Sequence, residues 1–195
     1  DGAGVRVSGG SSLWMNRSTI QGNTITGFGA GAGIQSDGVA RILNSTIIDN
    51  VVTESTRRGG GIEVNTGGDV TIVNSTFYDN VSPAPGEQVR RSGGTLDVYN
   101  SILGESTSDA VSDCSNATSA TDTLIYDGSC GATITGSLMF LDRGTGANGT
   151  EVLPLSFGST AAIGAANNDW LSEGDLGIDL NGDGDTSDIV LTDAR

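Results

Sequence analysis

One phrase recurs three times in this chain, and a recurrence of that kind permits few folds. Asn16-Arg17-Ser18-Thr19-Ile20, Asn44-Ser45-Thr46-Ile47 and Asn74-Ser75-Thr76-Phe77 are each followed by a further Asn, at Asn23, Asn50 and Asn80. A degraded fourth copy stands at Asn100-Ser101-Ile102-Leu103. Ahead of each copy, small residues run into an apolar one: Gly2-Ala3-Gly4-Val5, Gly31-Ala32-Gly33-Ile34, Gly59-Gly60-Gly61-Ile62 and Gly93-Gly94-Thr95-Leu96. Ile34 to Ile62 is 28 residues and Asn44 to Asn74 is 30. A period in that range belongs to stacked architectures, in which one repeat cannot bury its apolar face alone.

The third copy shows the coil most clearly. Gly59-Gly60-Gly61 permits a tight turn, and Ile62-Glu63-Val64 alternates inward and outward as a short strand. After the turn Asn65-Thr66-Gly67-Gly68, Val70-Thr71-Ile72 is a second strand with Val70 and Ile72 on one face. Asn74 turns the chain into a third strand, Ser75-Thr76-Phe77, with Ser75 and Phe77 inward. In the second copy Val39 and Ile42 take the second-strand roles, and the first copy carries one extra residue within Asn16-Arg17-Ser18. Stacked coils pair such strands in parallel at about 4.8 Å, which predicts two apolar ladders, Val5-Ile34-Ile62-Leu96 and Ile20-Ile47-Phe77-Ile102. The architecture that satisfies this is all-β: a right-handed, single-stranded parallel β-helix of about 28–30 residues per coil. A propeller blade needs roughly 40 residues or more, and a sandwich does not explain a fixed internal phrase.

Thirty-one Gly among 195 residues fit frequent tight turns. No run approaches eighteen apolar residues, so no helix is expected to cross a membrane. No signal peptide is visible, and the chain reads as a piece of something longer. With 24 acidic residues against 9 basic, the net charge of -15 disfavours nucleic acid and anionic lipid and favours cations. Every basic residue is Arg, and without Lys or His there is no Ser-His-Asp chemistry, His-ligated zinc or Schiff-base lysine. Cys114 and Cys130 enclose a polar loop and read as a disulfide, which points to an extracellular protein. A metal or redox pair is the alternative; it lacks CxxC spacing.

After Leu103 the repeat dissolves. The expected division is 1–103 as regular coils, 104–166 as irregular disulfide-closed coils, and 167–195 as an acidic C-terminal segment that covers or leaves the end of the helix. Thr123-Leu124-Ile125-Tyr126 and Ala132–Leu138 are expected to be strands of the irregular part. The Gly-Gly-Gly-Ile openings with Asn-Ser-Thr-Phe-x-x-Asn resemble the β-helix repeats of bacterial outer-surface proteins, the polymorphic outer-membrane type among them. Asn100-Ser101-Ile102-Leu103, Asp113-Cys114, Leu124-Ile125, Ser129-Cys130, Leu155 and Ala161-Ala162-Ile163-Gly164 are similar to the closing region of secreted "choice-of-anchor" β-helix proteins. That resemblance implies export, and a cysteine pair that closes the last coils; it implies no catalytic residue.

Six sequons are present, at Asn16, Asn44, Asn74, Asn80, Asn116 and Asn148. Asn116 and Asn148 lie in Ser/Thr/Gly loops and are the better acceptors for N-linked glycans. Asn44 and Asn74 have a structural reading instead, as inward-pointing corner amides stacked on one another. Asp179-x-Asn181-x-Asp183-Gly184-Asp185-x-x-Asp188 places oxygen ligands at alternate positions around a Gly, the arrangement Ca²⁺ uses. Val190 occupies the usual position of the acidic closer, so Asp188 would close a shortened loop. Asp49 and Asp79 hold equivalent positions in neighbouring coils, with carboxylates about 5 Å apart, the separation a retaining glycosidase needs. The repeat alone also generates that pair, and the first copy has Gly22 there. Arg57, Arg58, Arg90 and Arg91 fall in loops, where solvation is the ordinary explanation for them. Trp14, Trp170, Tyr78 and Tyr99 are read as packing residues that could also stack on sugars.

The functional expectation is a non-enzymatic extracellular structural or adhesive module, glycosylated and Ca²⁺-bound. Exposed strand edges at the helix ends would let copies add to one another as a homo-oligomer or filament. The alternative is a polysaccharide-binding or polysaccharide-cleaving β-helix, and a third reading is an autotransporter-like passenger.

Overall fold

A computed structural model describes residues 4–104, 111–136, 144–145, 151–152, 179 and 183–186. The first coil comprises β1 (Val5–Val7), β2 (Ser12–Asn16), β3 (Thr19–Gln21) and β4 (Thr24–Ile25), and the second β5 (Ile34–Ser36), β6 (Val39–Leu43), β7 (Thr46–Ile48) and β8 (Val51–Val52). The third holds β9 (Ile62–Val64), β10 (Asp69–Val73) and β11 (Thr76–Tyr78); the fourth β12 (Val89–Arg91), β13 (Thr95–Tyr99) and β14 (Ile102–Gly104). A shorter closing turn adds β15 (Cys114–Ser115), β16 (Ser119–Thr121) and β17 (Leu124–Ile125), and β18 (Gly144–Thr145) pairs antiparallel with β19 (Glu151–Val152).

Three parallel sheets of five strands result, ordered β1-β5-β9-β12-β15, β2-β6-β10-β13-β16 and β3-β7-β11-β14-β17. On the first sheet the spacing falls steadily: Val5 to Ile34 is 29 residues, Ile34 to Ile62 is 28, Ile62 to Val89 is 27 and Val89 to Cys114 is 25; on the third sheet Ile47 to Phe77 is 30 residues. Inward residues of all three sheets fuse into one core that includes Ile34, Ile42, Ile62, Val70, Ile72, Phe77, Leu103 and Ile125. Burying a side chain of that size contributes about 1.5–3 kcal/mol.

Several expected alignments change. The first-sheet ladder is Val5-Ile34-Ile62-Val89-Cys114, and Leu96 belongs instead to the second sheet, opposite Val70. Gly93-Gly94 imitates a coil opening, but Gly94 stacks on the Gly68 carbonyl in the turn before β13. The third-sheet ladder is Ile20-Ile47-Phe77-Leu103-Ile125, with Ile102 beside Thr76. Ala40, opposite Val70, is inward, while Val39 pairs with Asp69 on the outside. The first copy has no extra residue, because Arg17 occupies the corner that Asn44 occupies one coil on. Past Leu103, β15, β16 and β17 form a further coil that continues all three sheets in register.

Backbone conformation explains the phrase. Arg17, Asn44, Asn74, Asn100 and Asp122 all take φ between 47° and 49° at the corner joining the second and third sheets. Non-glycine residues rarely adopt this left-handed region, and Asn and Asp tolerate it best. Gly22, Asp49 and Asp79, with φ of 70°, 56° and 53°, form the same kind of row at the next corner. The Ser after the first corner builds a ladder: Ser18, Ser45 and Ser75 N–H donate to Ser45, Ser75 and Ser101 Oγ at 3.2, 3.1 and 3.1 Å. Each of these hydroxyls donates in turn to a carbonyl two residues back, as Ser45 does to Leu43 at 2.6 Å.

The inward amide stack is formed by the second Asn of each phrase. Asn23 Nδ2 donates to Asn50 Oδ1 at 2.9 Å, Asn50 Nδ2 to Asn80 Oδ1 at 2.9 Å, and Asn80 Nδ2 to Gln88 Oε1 at 2.7 Å. Asn50, Asn80 and Gln88 are fully buried. Room for the stack comes from the coil-opening glycines. A Cβ on Gly33 or Gly61 would sit 3.2 Å from the amide of Asn50 or Asn80, and 2.5 or 2.3 Å from the next coil's carbonyl. Asn44 and Asn74, expected to point inward, form an outer row in which Asn44 Nδ2 reaches Asn16 Oδ1 at 3.0 Å.

Candidate functional site

Outward-facing residues are usually solvated, but one row on the first sheet is not. Gln35, Glu63 and Arg90 are the central residues of β5, β9 and β12, paired in register. Each faces away from the core because its neighbours face in. The segment around Phe28 and the stretch Thr56–Arg58 line, with this row, an open pocket of about 350 Å³, which Asn65 and Ser92 also line. Glu63 is 4% exposed and Arg90 7%. Arg90 Nε lies 3.3 Å from Glu63 Oε2, but neither atom has a hydrogen bond. Gln35 Oε1 and Arg57 Nε are likewise buried without a hydrogen-bond partner. Buried polar atoms are rarely left so; Glu63 Oε2 and Arg90 Nε have each other as ion-pair partners, whereas Gln35 Oε1 and Arg57 Nε have no hydrogen bond.

The electrostatics follow from burial. Desolvation raises the Glu63 carboxyl above the usual carboxylate range, against the pull of a Ser92 hydrogen bond and the charges of Arg90 and Arg58. Desolvation lowers the Arg90 guanidinium, Glu63 opposes that shift, and the charge of Arg58 adds to it. At the mouth, Phe28 is 88% exposed and the Arg57 guanidinium lies 5.3 Å from its ring centre.

The residues singled out in the sequence lie elsewhere. Asp49 and Asp79 occupy the left-handed corner row and do not line the cavity; Asp49 Oδ2 accepts from Gln21 Nε2 at 3.2 Å. Their recurrence therefore has a backbone cause. Of the sequon residues, Asn16 and Asn116 are exposed, Asn44 is half-buried and Asn74 is 5% exposed. Asn80 is fully buried and its Nδ2 also donates to Ile47 O at 2.8 Å, so a glycan there would have to break the amide stack. Asn148 lies outside the described residues. Asp179 Oδ2 accepts from Gly184 N at 3.0 Å, and Asp183 Oδ1 from Asp185 N at 3.1 Å; Asn181 and Asp188 lie outside the described residues. Among the described residues no group of three or more His, Cys, Asp or Glu is placed to hold a metal, and no helix is long and apolar enough to cross a membrane.

The disulfide joins Cys114 to Cys130, with Cα atoms 5.7 Å apart. Cys114 continues the first-sheet core ladder, and Cys130, in the short turn Ser129–Gly131, packs against the same core. Beside it, Gln88 Nε2 donates to Asp113 Oδ1 at 3.3 Å, so the amide stack ends on a carboxyl. Burial first, then the nearby charge of Asp127, pushes Asp113 up to about 7, and Glu87 adds a smaller push.

The cavity is not among the features that the sequence pattern marks. Its signal is an outward row of Gln, Glu and Arg at equivalent positions of successive coils, hidden because the pattern places Arg90 in a loop. A search of curated proteins and a search of solved structures each return no match. A family model described as a right-handed beta helix region matches residues 2–150. That match spans most of the chain and agrees with the three parallel sheets: the chain belongs to the right-handed β-helix family.

Proposed function

We propose that this protein is a non-enzymatic extracellular β-helix that binds carbohydrate in the cavity on its first sheet. The observation that carries the reading is a pocket of about 350 Å³ lined by polar and charged side chains, among them Gln35, Glu63, Arg57, Arg58 and Arg90. Sugar hydroxyls both donate and accept, and lining side chains of both kinds are present: Gln35, Glu63 and Asn65 carry acceptor oxygens, while Arg57, Arg58 and Arg90 donate. The exposed ring of Phe28 adds an apolar face at the rim. β-Helices serve as structural or surface proteins and also as polysaccharide enzymes. Glu63 is the one carboxylate among the lining residues, whereas hydrolysis of a glycosidic bond uses two; that favours binding. The disulfide supports an oxidising compartment. Calcium in the 179–188 loop and glycans on the exposed Asn16 and Asn116 belong to the same proposal.

Binding of the 195-residue chain to a panel of soluble polysaccharides, with product analysis of the same mixtures, tests the reading. Retention on at least one polysaccharide without new reducing ends or unsaturated products is expected, with affinity reduced about tenfold by Phe28→Ala. Absence of binding across the panel would overturn it. Products that form with the wild-type chain and vanish with Glu63→Gln would replace it with the enzymatic reading.

A further inference from the structure

We infer that the outer face of the second and third sheets is a docking surface for the chain's own residues 137–157, the stretch that holds the β18–β19 hairpin. The inference is independent of the carbohydrate reading.

Five buried apolar residues stand apart from the core. Leu43 in β6, Val73 in β10, Ile48 in β7, Ile102 in β14 and Leu124 in β17 are each at most 7% exposed. They lie outside the fused core and outside the smaller cluster of Ile25, Ala32 and Val52. Alternation turns each of them outward, because the strand neighbours Ile42, Ile72, Ile47, Leu103 and Ile125 face in. Thr46 and Thr71, outward in the same two sheets, are 7% and 1% exposed. Strands about 4.8 Å to either side hide the flanks of an outward side chain, not its tip. Among the described residues, β6, β7, β10, β11, β14 and β17 make their main contacts with sheet neighbours. Burial this complete needs further atoms lying over the sheets. The covered patch also has a limit: in the first coil Asn16 and Gln21, which pair with Leu43 and Ile48, are exposed.

Where the chain runs identifies the occupant. Ile134 pairs in parallel with Leu124, so the chain leaves the stack on the third sheet, at the last coil of this face. Leu138-Met139-Phe140-Leu141, the longest unbroken apolar run in the sequence, follows at once. Past the hairpin turn comes Val152-Leu153-Pro154-Leu155, and Phe157 is two residues further on. Apolar side chains of that size are stabilised by burial, and the patch offers apolar partners of matching kind. The distance also fits. From β17 back to β7 is three strand spacings, about 14 Å, and residues 137–143 span about 23 Å when extended. Because Val73 and Ile48 are fully buried within a single chain, the face leaves no room for a second copy.

Photo-crosslinking of the full chain tests the docking. The photoreactive residue p-benzoylphenylalanine takes the place of Tyr78, which pairs with Ile48 and is half-buried on the same face. A second variant carries it in place of Thr76, which pairs with Ile102 and keeps the test open if the first does not fold. Irradiation should join the probe to a peptide within 137–157 of the same molecule, in a product that runs as a monomer. The same probe in place of Trp14, on the second sheet in the first coil and 46% exposed, should not reach that peptide. Products that link two chains would assign the face to a second copy and overturn the inference. Products confined to other segments, or no product from either variant, would also overturn it, as would equal yields from the Trp14 and Tyr78 positions.

Discussion

Asn80 hands its amide hydrogen to Gln88 Oε1 at 2.7 Å, so a residue in the glycine position of one coil completes an asparagine stack begun in the coils before it. Gln88 precedes Val89 as Gly4, Gly33 and Gly61 precede Val5, Ile34 and Ile62. No Asn follows the fourth phrase to continue the stack, and the Gln88 amide replaces it. Replacing Gln88 with the glycine of the other coils should therefore weaken the protein. Gln88→Gly removes one of the two acceptors of Asn80 Nδ2, the acceptor of the Asn80 N–H and the side-chain donor to Asp113 Oδ1. With each orphaned buried group costing about 1–3 kcal/mol, urea unfolding should show a loss of roughly 2–4 kcal/mol.

The left-handed corners make a contrasting prediction. Asp79 sits at φ 53°, in a row that begins with Gly22. Asp79→Gly should leave stability within about 1 kcal/mol of wild type, because glycine adopts this region freely. Asp79→Val should lose about 1–2 kcal/mol through backbone strain alone. Neither change should alter carbohydrate affinity; a loss of binding in both would return Asp79 to the functional site.

Asp113 sets a dependence on pH. Its carboxyl is raised from 3.8 to about 7, so the folded chain holds that proton more tightly than the unfolded chain does. The contribution is complete below about pH 4, declines as pH rises through the interval from about 4 to about 7, and is gone above it. Asp113→Asn keeps an acceptor for Gln88 and removes the titration. The variant should match wild type near pH 4 and exceed it by about 2–4 kcal/mol at about pH 8, since each tenfold difference in proton affinity is worth about 1.4 kcal/mol. Glu63, raised in the same direction, and Asp69, lowered mainly by its hydrogen bond with Arg41, are common to both proteins and cancel in the comparison. Denaturation midpoints across that range, with parallel slopes for the two proteins, would refute the assignment.

Reduction of Cys114–Cys130, or Cys114→Ala with Cys130→Ala, should cost about 3 kcal/mol, as expected for a loop of this length. Hydrogen exchange should locate the loss. Protection at Leu124 and Ile125 in β17 should fall first, while Ile47 and Phe77 in the central coils keep theirs.

The coil is legible in the sequence because its causes are local. Alternation marks Ile62 and Val64, and the small-residue openings mark the tight passage before each first strand. What fails is register in coils that break the pattern. Gly93-Gly94 looks like an opening because a turn glycine and a stacking glycine are the same letter, and their difference lies in which carbonyl a Cβ would strike. That single misplacement puts Arg90 in a loop and hides its pairing with Glu63, and with it the cavity. The two Asn of each phrase are told apart only by geometry. Asn74 carries a left-handed φ of 49°, whereas Asn80 lies fully buried in the amide stack. Both demands select the same residue type.

The serine and amide rows share a direction. Ser18 gives to Ser45 and Ser45 to Ser75, as Asn23 gives to Asn50 and Asn50 to Asn80, always from the earlier coil to the later. In these two rows each coil offers hydrogens to the next and receives them from the one before, like a magnet with fixed poles, while the outer row from Asn44 to Asn16 runs the other way. A duplicated unit such as 34–61 could be spliced between its neighbours with every donor meeting an acceptor, whereas a coil docked in the opposite sense would set donor against donor. Length is free to vary in such a chain, and sense is not.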